Sequence, residues 1–397
     1  MFMMVGLLQG RQQPCNVGAM QEFDFAIVGA GIAGVAVAYH LAPQKRVVIL
    51  EREHVAAYHT TGRSAALHSE TYGSAEIRAI TVASGRFYRK PPQGFADHPL
   101  LTPRGALIAG HADQETPLRA AAADFAKLVP SVRWLEPAEA LRRMPLFKPE
   151  AVQGGAVFEP EADDMDVASI HGGFLRGARA AGAMLRLNAE VTRLERKDGR
   201  WLIVPKDGEM IAAANVVNAA GAWADVLAAL AGATPVGLVP KRRTAFTFDS
   251  PPGLDIEHLP MAIDFDETFY FKPEVGQFLA SPADETPSPP CDAQPEEMDI
   301  AIAVDRIETA TTLQIRRIKN KWAGLRSFVA DKNLVVGYDD AVSGLFWLAG
   351  QGGYGIQTAA AAGRLAAALA LAQGLPPDIA ELGVTEAALS PNRFTRQ

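Results

Sequence analysis

Three features of the sequence predict an α/β fold in which a discontinuous Rossmann-like domain carries an inserted α+β domain built on an antiparallel sheet. The first is "FAIVGAGIAG" at 25–34, an apolar run that breaks into glycines, resumes as a helical pattern and closes on "RVVILE" at 46–51. The second is the return of glycine turns near 221 and 352, far along the chain. The third is the alternation of aromatic strands between those turns, "TAFTFD" and "ETFYFKP".

The opening unit is the most informative. Gly29, Gly31 and Gly34 fit G-x-G-x-x-G between a strand and a helix, and Glu51 ends the next strand twenty residues after Gly31. The first glycine permits the tight turn, the second lets the backbone approach a pyrophosphate, and the third lets helix and strand pack closely. The helix N-terminus then faces phosphate, and the acid accepts from a ribose hydroxyl. These parts in register predict a dinucleotide site.

After this unit, "HTTGRSAALHSETYG" at 59–73 reads as a loop or helix start, and 76–150 as mixed and helical with proline breaks. "VASIHGGFLRGARAAGA" has helical period, followed by strands "EVTRLERK", "RWLIVP" and "MIAAANVVNAAG" with Asp-Gly turns between them. The proline-rich "SPADETPSPPCDAQP" at 281–295 reads as a solvated loop, and "TAAAAGRLAAALALAQG" as a buried helix. The expected division is a disordered leader at 1–19, a nucleotide domain at 20–75, 151–230 and 321–390, and a substrate domain at 76–150 and 231–320.

Composition removes several classes. The chain has 397 residues, 48% hydrophobic and 21% charged, with net charge −7 and no basic block longer than "KRR" at 241–243. Nucleic acid, which needs a clustered positive face, is excluded as a partner. Two cysteines, Cys15 and Cys291, form no C-x-x-C pair, and the histidines lack metal-ligand spacing. A disulfide framework, a zinc site or any other metal, and a redox dithiol are therefore not expected. The first nineteen residues lack a basic start and a long apolar core, so no secretory signal is expected and Met20 reads as a natural beginning. No charge-free apolar run reaches membrane-spanning length, and the expected location is the cytoplasm.

An NAD dehydrogenase places its remaining βαβ units directly after the first. Here the second strand leads to "TTGRSAA" and a long excursion, and three separated contact regions suit a longer cofactor, FAD. "VGAGIAG…VVILER", "HTTGRSAA", "NVVNAAGAWAD", "PKRRTAF", "WAGLRSFVAD" and "QGGYGIQT" together resemble the D-amino-acid oxidase superfamily of FAD-dependent amine oxidoreductases, and within it the bacterial D-arginine dehydrogenases. The resemblance runs from Phe23 to about Asn392 and implies non-covalent FAD, an amino-acid substrate, and an electron acceptor that is a quinone, another carrier or O2.

By motif, the resemblance implies that Glu51 binds the adenosine ribose with Arg52 beside the adenine, and that Val191 contacts the adenine through its backbone. Thr60, Thr61, Arg63, Ser64, Ala65 and Ala66 surround the pyrophosphate and flavin edge, and helix capping is the competing reading for the two threonines. Ala220, Gly221 and Trp223 belong to the middle contact region. Gly352, Gly353, Tyr354, Gly355, Ile356 and Gln357 bring backbone N–H groups and a helix N-terminus to the flavin pyrimidine ring. Arg326 and Arg243 clamp the substrate carboxylate, a task that suits a planar, permanently charged fork, with surface ion pairing as the alternative for each. Tyr270 and Tyr72 line the pocket or are simply core, and Gly353 and Gln357 complete it.

Two departures bear on the substrate. Ala106 stands where the D-arginine enzymes carry a glutamate for the guanidinium, and Leu67 where they carry a pocket histidine. An unpaired buried cation costs several kcal/mol, so the expected reaction is oxidative deamination of D-amino acids with apolar side chains favoured over D-arginine. Glu70 and Asp264 are the candidate acids for restoring a partner. The alternatives are a secondary-amine or 2-hydroxy-acid oxidoreductase of the same superfamily and a non-catalytic flavin-binding subunit.

Overall fold

The computed structural model describes residues 20–394. The leader expected at 1–19 lies outside the described residues. Two large sheets dominate. The first is built around β1 (Gln21–Val28), which runs into helix α1 (Ile32–Leu41) and returns as β2 (Val47–Leu50), parallel to β1. Its other edge pairs in parallel with Ile211–Asn218, which in turn lies parallel to Leu345–Ala349. Such strands are covered on both faces, which is why β2 reads "VVIL" with all four residues buried. The hairpin Val191–Lys197/Arg200–Pro205 extends the sheet, and its turn residues Asp198 and Gly199 both take positive φ, at 50° and 77°.

The second sheet has nine strands and carries the long antiparallel pair Val239–Asp249 and Ile318–Phe328. Ala156–Glu159 and Ile318–Phe328 both pair within it. Residues 156–159 and 321–328, expected in the nucleotide domain, therefore pair in the other sheet. Short apolar strands carry no mark of which sheet will pair them.

The alanine-rich run forms the helix Gly355–Ala370, packed against α1 and against Ala75–Arg89. Small residues allow this approach: a Cβ on Gly363 would lie 2.7 Å from the Ala36 carbonyl carbon. Its N-terminal turn is held by Tyr88, whose hydroxyl donates to the Ile356 carbonyl at 2.6 Å. No described helix is long and apolar enough to cross a membrane.

The proline-rich segment is not a solvated loop. Thr286–Pro287 pairs with Lys241–Arg242 at the edge of the second sheet, and Cys291 packs with Ala293 against Ala222 and Leu325. Backbone pairing and side-chain anchors, rather than hydropathy, hold it down.

Candidate active site

The glycine turn has the geometry its pattern predicts. Gly29 has φ of 109°, and a Cβ there would lie 2.3 Å from the Ala219 carbonyl oxygen. A Cβ on Gly34 would lie 1.9 Å from the Gly29 oxygen, so helix and strand touch through this residue. His171 braces the turn, its Nε2 2.9 Å from the Ala30 carbonyl, and burial lowers its pKa. Glu51 is buried at the end of β2; its carboxylate accepts from Ala30 N at 2.8 Å and Glu53 N at 3.0 Å.

A cleft of about 890 Å³ opens over this turn, lined by Gly29, Gly31, Glu51, Arg52, Thr60, Thr61, Val191, Ala220, Gly221 and Trp223 among others. Arg52 lies over the Trp223 ring at 4.6 Å and pairs with Glu190 at 2.7 Å. His59, its ring tilted against that of Trp223 at 4.8 Å, pairs with Glu53 at 2.9 Å. Thr61 does cap α1, its hydroxyl accepting from Ile32 N at 3.0 Å, while Thr60 donates to the Leu325 carbonyl at 2.7 Å. Both threonines line the cleft as well, so capping and wall-building coincide.

A second cleft of about 910 Å³ continues from the first, the two sharing Gly31, Thr60, Thr61 and Gly221. It gathers Arg63, Ser64, Ala65, Arg243, Tyr270, Arg326, Gly352, Gly353, Gly355 and Ile356 from five separate stretches of chain. Arg326 lies against Gly353, where a Cβ would meet its Nη1 at 2.8 Å, and Nη1 donates to the Tyr72 hydroxyl at 3.3 Å. Among the described residues no carboxylate forms an ion pair with Arg326, and none lines this cleft. Arg243 is buried, donates through Nε to the Asp284 carbonyl at 2.8 Å and has Glu285 3.5 Å from Nη2. That Nη2 and the hydroxyl of Ser327, also at the cleft, are buried without a hydrogen-bond partner.

The phenols respond to these charges. Burial alone would raise the Tyr270 hydroxyl, but Arg326 and Arg243 outweigh it and hold it below the ordinary tyrosine value. For Tyr72, burial dominates and pushes the hydroxyl up. Tyr72 and Tyr354 stack edge to face at 5.0 Å behind Arg326 rather than on the cleft wall.

Several expected site residues stand elsewhere. Gln357 is buried between helices, donating to the Thr81 hydroxyl at 2.9 Å. Ala66 and Leu67 pack into apolar clusters, Leu67 beside Tyr270. Ala106 is buried in a strand, in register with Glu159 and Met261. Arg63 donates from Nη1 to the carbonyls of Ala293 at 3.0 Å and Ala323 at 2.9 Å, and pairs through Nη2 with Asp292 at 2.5 Å, so three of its five N–H donors are held by the protein. Glu70 is paired with Arg89 at 3.0 Å, and Asp264 binds Thr268 through its hydroxyl at 2.7 Å. Neither is a free anion. Sequence reasoning missed Asp284, Glu285, Asp292 and His59, which no spacing pattern marks.

The two clefts fit FAD. An elongated cavity begins at a glycine turn beside a buried acid and ends at a second glycine turn on a helix N-terminus, and both turns line its wall. The sequence pattern of the family described as "DAO: FAD dependent oxidoreductase" matches residues 24–369. The chain belongs to this family. It is an FAD-dependent oxidoreductase that holds its flavin non-covalently. Among curated members, it is 24% identical to "FAD-dependent oxidoreductase domain-containing protein 1" of Bos taurus, over 88% of this chain and 82% of that protein. It is 25% identical to the mitochondrial dimethylglycine dehydrogenase of Mus musculus, covering 98% of this chain but 46% of that one. Among solved structures, L-proline dehydrogenase from P. horikoshii superposes with TM-score 0.81 at 21% identity, covering 95% of this chain and 99% of that chain. Glycine oxidase from Geobacillus kaustophilus gives 0.77 at 22%, covering 92% and 99%.

These findings correct two expectations. They support the DAO family as a whole, not a specific match to D-arginine dehydrogenases. The cytoplasmic location does not stand either, because the dimethylglycine dehydrogenases of mouse, human and rat are mitochondrial.

Proposed function

We propose that this DAO-family protein oxidises the C–N bond of a small glycine-like α-amino acid, secondary or tertiary at nitrogen. The observation that carries this reading is Arg326, a guanidinium at the flavin end of the cleft with no carboxylate partner of its own. A planar fork in that state is built for a substrate carboxylate. Arg243, with Nη2 unsatisfied, and the Tyr270 hydroxyl stand beside it. The remaining wall mixes small apolar residues, including Ala65, Ala245 and Ile356, with neutral polar ones such as Ser64 and Ser327; it suits an N-alkyl group or a short side chain and offers a cation no carboxylate. Dimethylglycine dehydrogenase, proline dehydrogenase and glycine oxidase, by name, all act on small amino acids, which supports the class.

The bound flavin supplies a hydride acceptor. The chain's own part is to fix the carboxylate so that the Cα–H faces that acceptor, to exclude water, and to leave the amine uncharged by offering it no anion. A second reading, deamination of apolar D-amino acids, rests on the same clamp and the same apolar wall. Anaerobic bleaching of the flavin absorbance by sarcosine, dimethylglycine, L-proline, glycine, D-leucine and D-arginine tests both. Bleaching by the N-substituted substrates first supports the proposal; D-leucine alone supports the second reading; D-arginine as the fastest overturns both. Re-oxidation by O2 against a soluble quinone then sorts oxidase from dehydrogenase.

A further inference from the structure

The proline-rich segment is fixed at both ends to the two walls of the site. At its start the Asp284 carboxylate accepts from Thr244 N at 2.6 Å and Thr244 Oγ1 at 3.0 Å, while its carbonyl accepts from Arg243 Nε at 2.8 Å. Ser288 N then donates to the Pro240 carbonyl at 3.0 Å. At its far end Asp292 accepts from Arg63 Nη2 at 2.5 Å and from the Tyr58 hydroxyl at 3.3 Å, and Arg63 Nη1 also holds the Ala293 carbonyl. Tyr58 lines the first cleft and Arg63 the second. Five prolines between 281 and 295 limit the ways such a segment can slacken.

We infer that residues 284–293 form a positioning strap, with Asp284 and Asp292 as its two anchors, which holds the Tyr58–Arg63 wall against bound FAD. Arg63, with two donors held by the strap and one by the Ala323 carbonyl, thus serves the cofactor through the strap. An isolated, half-exposed Arg63–Asp292 pair would be worth little; a strap anchored at two points makes either anchor matter for the whole. The inference rests on FAD occupying the first cleft.

The test uses the FAD-loaded enzyme in a Cys15→Ser background, leaving Cys291 as the one thiol, a partly buried group within the strap. Two rates are read: flavin release on dilution, by recovery of flavin fluorescence, and alkylation of Cys291 by N-ethylmaleimide. Asp292→Asn should accelerate both at least fivefold. Asp284→Ala, eight residues away, should do the same, which a purely local role for Asp292 would not predict. Flavin release within twofold of the parent in either variant overturns the strap, whatever the alkylation rate does. Should Asp284→Ala fail to fold, the Asp292→Asn rates decide alone. A parent protein that purifies without flavin would instead overturn the reading of the cleft.

Discussion

Arg326 and Arg243 look alike in sequence and differ in place. Arg243 is partly neutralised by Glu285 at 3.5 Å, whereas Arg326 hydrogen-bonds the Tyr72 hydroxyl at 3.3 Å and feels Tyr270 and the Glu267 carboxylate only at longer range. Arg326→Met should therefore lower kcat/KM at least a hundredfold, since losing one partner of a buried charge pair costs roughly 3–5 kcal/mol. Arg326→Lys should recover little, because a point charge cannot reproduce the fork. Steady-state kinetics with the best substrate of the panel check both. A second residue-scale expectation concerns His68, fully buried, with Nδ1 unpaired and a pKa lowered to about 4, chiefly by burial and then by Arg89. The unfolded chain binds this proton near pH 6.5 and the native protein does not. Stability therefore falls as pH drops from 6.5 towards 4, by about 2 kcal/mol at pH 5 from this group. Buried acids with raised pKa, such as Glu159, act in the opposite sense, so the measurement is urea unfolding of wild type against His68→Gln at pH 7 and pH 5. The difference between the two should shrink at pH 5. Arg326 could be singled out only through "WAGLRSFVAD", a motif shared with the resembled family, and the structure sets it at the second cleft. Asp284 and Asp292 were not legible, since a carboxylate in a proline-rich run looks solvated until its partners, dozens to hundreds of residues away, are in place.

At the scale of elements, the first βαβ unit was readable almost residue by residue, because its constraints are local: a turn, a helix start and an acid at fixed spacing. Gly34 makes the point quantitatively. Its missing Cβ would lie 1.9 Å from backbone, not from a side chain that could swing away. Gly34→Ala should push α1 off β1, cost about 1–3 kcal/mol in overpacking, and leave protein with little bound flavin. The ratio of absorbance at 450 nm to that at 280 nm, with the unfolding midpoint, checks this. By contrast, the sheet that claims Ala156–Glu159 or Ile318–Phe328 is decided by pairing across long stretches of chain, which strand propensity does not encode. Ala106 shows the same limit. Its register partner is Glu159, buried and already accepting from Ser69, Thr71 and the Glu70 N–H, all at 2.7 Å. Ala106→Glu should set a second acid beside the first and lower the melting temperature, rather than create a site for a basic substrate.

At the scale of the whole molecule, the substrate end of the cleft is assembled where the two sheets meet, so its charge balance is a property of the fold and not of any motif. Tyr270, Arg243 and Arg326 come from the second sheet, while the glycine turns 29–31 and 352–355 come from the nucleotide side. The result is three guanidiniums, those of Arg63, Arg243 and Arg326, lining a cavity to which no described aspartate or glutamate contributes a wall. A substrate must bring an anion to satisfy Arg326, and a second cation on that substrate would meet like charge and an apolar wall. Desolvating such a cation without a partner costs several kcal/mol, whereas an N-methyl group on the same wall gains about 0.8 kcal/mol. Sarcosine or L-proline should accordingly exceed D-arginine in kcat/KM by at least about tenfold, equivalent to about 1.4 kcal/mol. Raising the ionic strength should narrow the gap little, because the charges responsible are buried and weakly screened. Steady-state assays at low and high salt decide the matter: a D-arginine preference that fades with salt would place a surface anion at the mouth in control of specificity, and a gap that collapses with salt would place surface cations there, instead of the buried pair.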